Sequence, residues 1–124
     1  MAKILIIDDE APIRTVINHI LTREGHDVDE AENGEVGLRL IELHPYDLVI
    51  TDIVMPAIDG IGVILSLKEK YPHIRIIAIT GGAAKNDRVY FLNVCKMMKV
   101  DLVLPKPFKA GELKSAVNKV LNIQ

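Results

Sequence analysis

The stretch Lys3-Ile4-Leu5-Ile6-Ile7-Asp8-Asp9-Glu10 runs from four aliphatic residues straight into three carboxylates. An unbroken aliphatic run of this length suits a strand covered on both faces, as parallel strands are. It is too short for the apolar segment of a signal peptide, because the acidic residues cut it off. Beyond it, Pro12 fits a first helical turn, where its missing N–H costs little. Ile13, Val16, Ile17, Ile20 and Leu21 then recur at helical spacing, and Gly25 stops that helix. His26 to Ala31 is polar for a strand and is expected at a sheet edge. Asn33-Gly34 reads as a turn. Val36, Leu40 and Ile41 mark a short helix, in which Gly37 costs up to about 1 kcal/mol relative to Ala.

The same alternation continues to the end. Asp47 to Thr51 is a third strand, followed by a loop with Pro56 and Asp59-Gly60 and a helix carrying Ile61, Ile64 and Leu65. Arg75 to Thr80 is a fourth strand, followed by Gly81-Gly82 and a helix with Phe91, Val94, Cys95 and Met98 on one face. Asp101 to Leu104 is a short fifth strand. A last helix carries Leu113, Ala116, Val117, Val120 and Leu121. Short aliphatic strands between amphipathic helices predict an α/β, doubly wound, five-stranded parallel sheet with five helices.

Composition bounds the function. The chain has 124 residues, 49% of them hydrophobic, which allows one domain with a real core and argues against two. A net charge of -2 gives no general pull toward nucleic acid or an anionic membrane. No apolar run approaches the roughly 20 residues of a membrane span, so a cytoplasmic protein is expected. The single cysteine, Cys95, excludes a disulfide framework and reads as a core residue. His19, His26, His44 and His73 are scattered and make no metal-ligand spacing.

Ligands of doubly wound sheets sit beyond the carboxyl ends of the strands. The first strand ends at Asp8-Asp9, the third at Asp52, the fourth at Thr80, and the fifth leads to Lys106. If strands one and three are neighbours, three carboxylates meet in one crevice. A hard divalent cation relieves their repulsion, and oxygen ligands suit Mg2+. Lys106 adds a positive point charge, and Thr80 a hydroxyl. That set fits phosphoryl transfer onto a carboxylate nucleophile.

At these residues the chain resembles the receiver domain of two-component response regulators, of the single-domain chemotaxis or phosphorelay type. The matching marks are Asp8-Asp9, the stretch Asp52-Ile53-Val54-Met55-Pro56-Ala57-Ile58-Asp59-Gly60, Thr80, and Lys106-Pro107-Phe108. The resemblance implies a flavodoxin-like strand order 2-1-3-4-5 and one receiver domain over residues 1–124, with no output domain in this chain. It implies that Asp52 is the phosphoacceptor. Asp9, Asp52 and the backbone carbonyl of Val54 would bind Mg2+ directly, and Asp8 largely through water. Lys106 would pair with the phosphoryl oxygens, Thr80 would be the switch hydroxyl, and Pro107 would follow a cis peptide bond. The donor would be a phosphohistidine on a sensor histidine kinase or a histidine phosphotransfer protein. The product would be altered binding of a downstream protein through the fourth helix, fifth strand and fifth helix. The domain would act as a monomer or a weak phosphorylation-dependent dimer, without direct nucleic-acid or membrane contact. It would catalyse its own phosphorylation and dephosphorylation while being primarily a signalling protein.

The sequence departs from that family at three places. Val103 stands where a switch aromatic is usual, so coupling from Thr80 is expected to be weaker or to run through Gly81-Gly82. Lys99-Val100 replaces a usual Gly-Ala, so Lys99 either adopts a left-handed conformation at a cost of about 1 kcal/mol or the turn has another shape. Val54 and Gly82, two residues after Asp52 and Thr80, cannot orient an attacking water, so self-dephosphorylation is expected to be slow. Lys85, Arg88, Lys96 and Lys99 make the fourth-helix region basic, and Tyr90 and Met97 are its exposed apolar candidates for partner contact. Two other readings stand beside this one. A docking or scaffold protein could keep the fold without phosphorylation. A hydrolase with an aspartyl intermediate would carry a second aspartate where Val54 stands.

Overall fold

The computed structural model describes residues 2–53, 60–81, 93 and 96–123. Five strands, β1 (Lys3–Ile7), β2 (Asp27–Ala31), β3 (Leu48–Asp52), β4 (Arg75–Thr80) and β5 (Leu102–Pro105), form one parallel sheet in the order β2-β1-β3-β4-β5. The helices are α1 (Ala11–Arg23), α2 (Gly34–Leu43), α3 (Gly60–Lys70) and α4 (Ala110–Leu121). The expected count of five helices is therefore corrected to four among the described residues. Between β4 and β5, the described positions with helical backbone are Asn93, Lys96 and Met97, too few and too separated to form an element. Phe91, Val94 and Cys95, on which the fourth of the five helices was expected, lie outside the described residues.

The aliphatic strands are buried on both faces because alternate side chains enter different cores. Leu5 and Ile7 join Val49, Ile76 and Ala78 beneath α2 and α3, where Ile41, Val63, Ile64 and Leu67 complete the layer. Ile4 and Ile6 join Leu48, Ile50, Ile77 and Ile79 beneath α1 and α4, with Ile17, Leu21, Leu113 and Val117. The polar strand β2 lies at the edge, as its composition demands. Ile13, Ile17, Ile20 and Leu21 of α1 face the core as expected, and Val16 alone of that set is exposed. The face of α3 is rotated from the expected phase, with Val63 and Leu67 buried and Leu65 exposed.

Asn33-Gly34 is more than a turn. The Asn33 side chain accepts the Val36 N–H at 2.8 Å and caps α2. Gly37 also acquires a reason, since a Cβ there would collide with the Ile7 side chain. Lys99 adopts the left-handed conformation, with φ 57°, and its N–H donates to Lys96 O at 3.2 Å. The peptide bond between Lys106 and Pro107 is cis.

Candidate functional site

Register brings the functional residues together. Ile7 pairs with Thr51, so Asp8 and Asp52 emerge side by side at the carboxyl ends of β1 and β3. Thr80 pairs with Pro105, and Lys106 follows directly. Two close approaches hold this end of the sheet. A Cβ on Gly60 would meet the Asp52 carbonyl and Ile53 Cα, so the start of α3 lies against the β3 backbone. Gly81 has φ +147°, and a Cβ there would stand 2.6 Å from Lys106 Cβ. Only a residue without a side chain lets Lys106 approach so closely.

The Lys106 ammonium is the hub. Its Nζ donates to Asp52 Oδ2 at 3.0 Å, lies 3.3 Å from Asp8 Oδ2 and reaches Glu10 Oε2 at 4.0 Å. Burial alone pulls the Lys106 pKa down. The hydrogen bond and charge of Asp52, with the charge of Asp8, outweigh that and set it above the ordinary lysine value. Asp8 is fully buried. Its Oδ1 accepts the Glu10 N–H at 2.9 Å, and its Oδ2 ion-pairs with the Lys106 ammonium at 3.3 Å. Thr80 Oγ1 is buried and has no hydrogen-bond partner among the described residues. A buried polar atom without a partner is costly, so the Thr80 hydroxyl is poised for a ligand.

Ligand oxygens of Asp8, Asp9 and Asp52 all lie within 4.8 Å of one another, with Asp9 exposed and the other two buried. Three carboxylates against one ammonium leave an excess of negative charge. An all-oxygen donor set of clustered carboxylates fits a hard divalent cation.

The structure thus unites Asp8, Asp9, Asp52, Thr80 and Lys106. Val103 is half-buried, packed against the core beneath α2 and α3 and paired with Ala78. Lys96, Met97 and Lys99 are exposed, Met97 at 82%. Val54, Gly82, Lys85, Arg88 and Tyr90 lie outside the described residues. Sequence reading missed Glu10 and Arg14. Glu10 was taken only as the acid ending an aliphatic run. Arg14 donates from a terminal guanidinium nitrogen to the Asp8 carbonyl at 2.6 Å. Its signal was a basic residue next to the core-facing positions of α1.

A parallel doubly wound sheet with an acidic crevice, a half-buried lysine and a buried threonine hydroxyl at its carboxyl end defines a class of phosphoaccepting signalling domains. The sequence matches the response regulator receiver domain over residues 4–118, and the chain belongs to that family. It is a phosphoaccepting receiver domain that catalyses its own phosphorylation and dephosphorylation. The DNA-binding transcriptional regulator NtrC of Azospirillum brasilense is 36% identical over 121 residues, which are 98% of this chain and 24% of that protein. The alkaline phosphatase synthesis transcriptional regulatory protein PhoP of Bacillus subtilis is 33% identical over 119 residues, 96% of this chain and 48% of that protein. The chain thus spans half or less of these curated relatives. Among solved structures, the response regulator TrrA of Thermotoga maritima in complex with Mg(2+)-BeF superposes with a TM-score of 0.83 at 37% identity. That match covers 97% of this chain and 99% of that one. Among the described residues, no helix is long and apolar enough to cross a membrane.

Proposed function

We propose that Asp52 accepts a phosphoryl group from a phosphohistidine, in a reaction that requires Mg2+. The observation that carries this reading is the Lys106–Asp52 contact of 3.0 Å at a strand end where Asp52 is 3% exposed. An ionised Asp52 oxygen forms the new P–O bond as the donor's P–N bond breaks, and the imidazole leaves with a proton. No protein general base is needed, since the attacking carboxylate is already ionised. Lys106 orients Asp52 beforehand and pairs with an incoming phosphoryl oxygen afterwards. The buried Thr80 hydroxyl, without a hydrogen-bond partner among the described residues, donates to another. Asp8, Asp9, Asp52 and the Val54 carbonyl would hold Mg2+, which supplies positive charge for the phosphoryl oxygens. The Thermotoga relative supports this assignment through its Mg2+ and beryllium fluoride, a tetrahedral group of phosphoryl shape.

On this reading, residues 1–124 act as one receiver unit in the cytoplasm. Its donor is a sensor histidine kinase or a histidine phosphotransfer protein. Its output is contact with a downstream protein, as a monomer or a weak phosphorylation-dependent dimer. Lys85, Arg88, Tyr90, Lys96, Met97 and Lys99 are the contact candidates, with Gly81, Gly82, Val103 and Pro107 in the switch region. Val54 and Gly82 make the phosphoryl group long-lived. Acetyl phosphate with Mg2+ should add one phosphoryl group, seen by intact mass, and Asp52→Asn should prevent it. Equal uptake by Asp52→Asn would remove Asp52 as acceptor. A phosphoryl half-life of only seconds would remove the slow-decay reading.

A further inference from the structure

The loop that carries Asp8 and Asp9 is braced from outside the crevice. Arg14 reaches back from α1 and donates to the Asp8 carbonyl at 2.6 Å. Its Nε donates to Glu30 Oε1 at 3.1 Å, so the guanidinium spans a backbone oxygen beyond β1 and a carboxylate on β2. Glu30 is itself held, because its Oε2 accepts Asn18 Nδ2 at 2.7 Å, and Asn18 Oδ1 accepts Thr22 Oγ1 at 2.7 Å. The Arg14 side chain is only 16% exposed, so water competes poorly for these bonds.

The carbonyl that Arg14 holds belongs to the peptide joining Asp8 to Asp9. The orientation of that peptide sets where the Asp9 side chain leaves the backbone. Asp9 is the exposed member of the acidic triad and lacks the burial that fixes Asp8 and Asp52. We propose that Arg14, oriented by Glu30, is a positioning residue that holds Asp9 in the cation-binding arrangement and so sets the affinity for the divalent cation without touching it. This rests on the Mg2+ reading given above.

The sign of one measurement separates this role from simple electrostatics. Arg14 is a positive charge near a cation site, so by charge alone its loss would tighten cation binding. Positioning predicts the opposite. Outer partners of metal ligands typically change affinity by roughly 10–100-fold.

The experiment is calorimetric titration of the full chain with MgCl2, alongside the backbone amide shift of Asp9. Arg14→Met should weaken Mg2+ binding by about tenfold. Arg14→Lys keeps the charge but loses the planar fork, and it should weaken binding as well. Glu30→Gln changes an exposed side chain and keeps an oxygen acceptor for Arg14 Nε. It should give a smaller weakening in the same direction, and it remains informative if the Arg14 variants fold poorly. In each variant the Mg2+ needed for half-maximal phosphoryl uptake should rise in parallel with the dissociation constant. Unchanged or tighter Mg2+ binding in the folded variants would overturn the positioning role. Absence of Mg2+ binding in the wild-type protein would instead overturn the function from which it starts.

Discussion

Lys106 shows how a residue that looks like any surface lysine becomes a site. The sequence places it after a short strand, but its neighbours come from three other strand ends. Nothing local indicates that Gly81 clears the space it occupies. Gly81→Ala should destabilise the fold by about 1–3 kcal/mol in urea unfolding, through a strained backbone and contact with Lys106. It should also slow phosphoryl uptake, and a variant equal to wild type in both would show that the close approach is unimportant. A second residue carries the pH dependence. His26 is buried, and its Nδ1 accepts the Ala2 N–H at 3.1 Å. Burial first, then the nearby amino terminus, lower its pKa below the ordinary histidine value. The unfolded chain therefore binds this proton at a higher pH than the native one. The stability that neutral His26 contributes is complete above pH about 6.5 and is lost as pH falls from there through the lowered native value. His26→Asn keeps an acceptor near the Nδ1 position without titrating. It should flatten the stability profile between about pH 7 and pH 5, and an unchanged slope would assign that dependence elsewhere.

At the scale of elements, the strands were the most legible part. An aliphatic run between carboxylates has few other readings, and each observed strand lies within a residue of its expected bounds. The helix faces were less so. Val16 and Leu65 are apolar at plausible helical positions, yet both point away from the sheet. A repeat of apolar residues fixes a helix but leaves its rotation to the packing partner. The cap at Asn33 was hidden for a similar reason, because Asn-Gly serves turns and helix starts alike. Asn33→Ala should cost about 1 kcal/mol of stability through the lost bond to the Val36 N–H. Thermal or urea unfolding checks this, and a change near zero would mean that α2 is held by its packing alone. Arg14 was hidden because the contact that ties it to the site is to a backbone carbonyl, and its side-chain partner Glu30 lies on a separate strand.

At the scale of the molecule, the parallel order converts scattered acidic residues into one crevice. Asp8 and Asp52 are far apart in sequence and become neighbours only because β1 lies beside β3. The crevice holds an excess of like charge, which the fold tolerates at a cost. Divalent cation should therefore stabilise the protein, by about 2.7 kcal/mol at a concentration 100 times its dissociation constant. Urea unfolding with and without MgCl2 measures this, with a chelator reversing the gain. No gain at concentrations that saturate binding would contradict a cation bound by the native state alone. The central claim is narrower: among these carboxylates, Asp52 takes the phosphoryl group. Borohydride reduces an acyl phosphate and leaves homoserine at the acceptor. After treatment with acetyl phosphate and Mg2+, peptide sequencing by mass spectrometry should find homoserine at position 52, with aspartate intact at 8 and 9. Homoserine at position 8 or 9, or at none of the three despite phosphoryl uptake, would contradict the assignment.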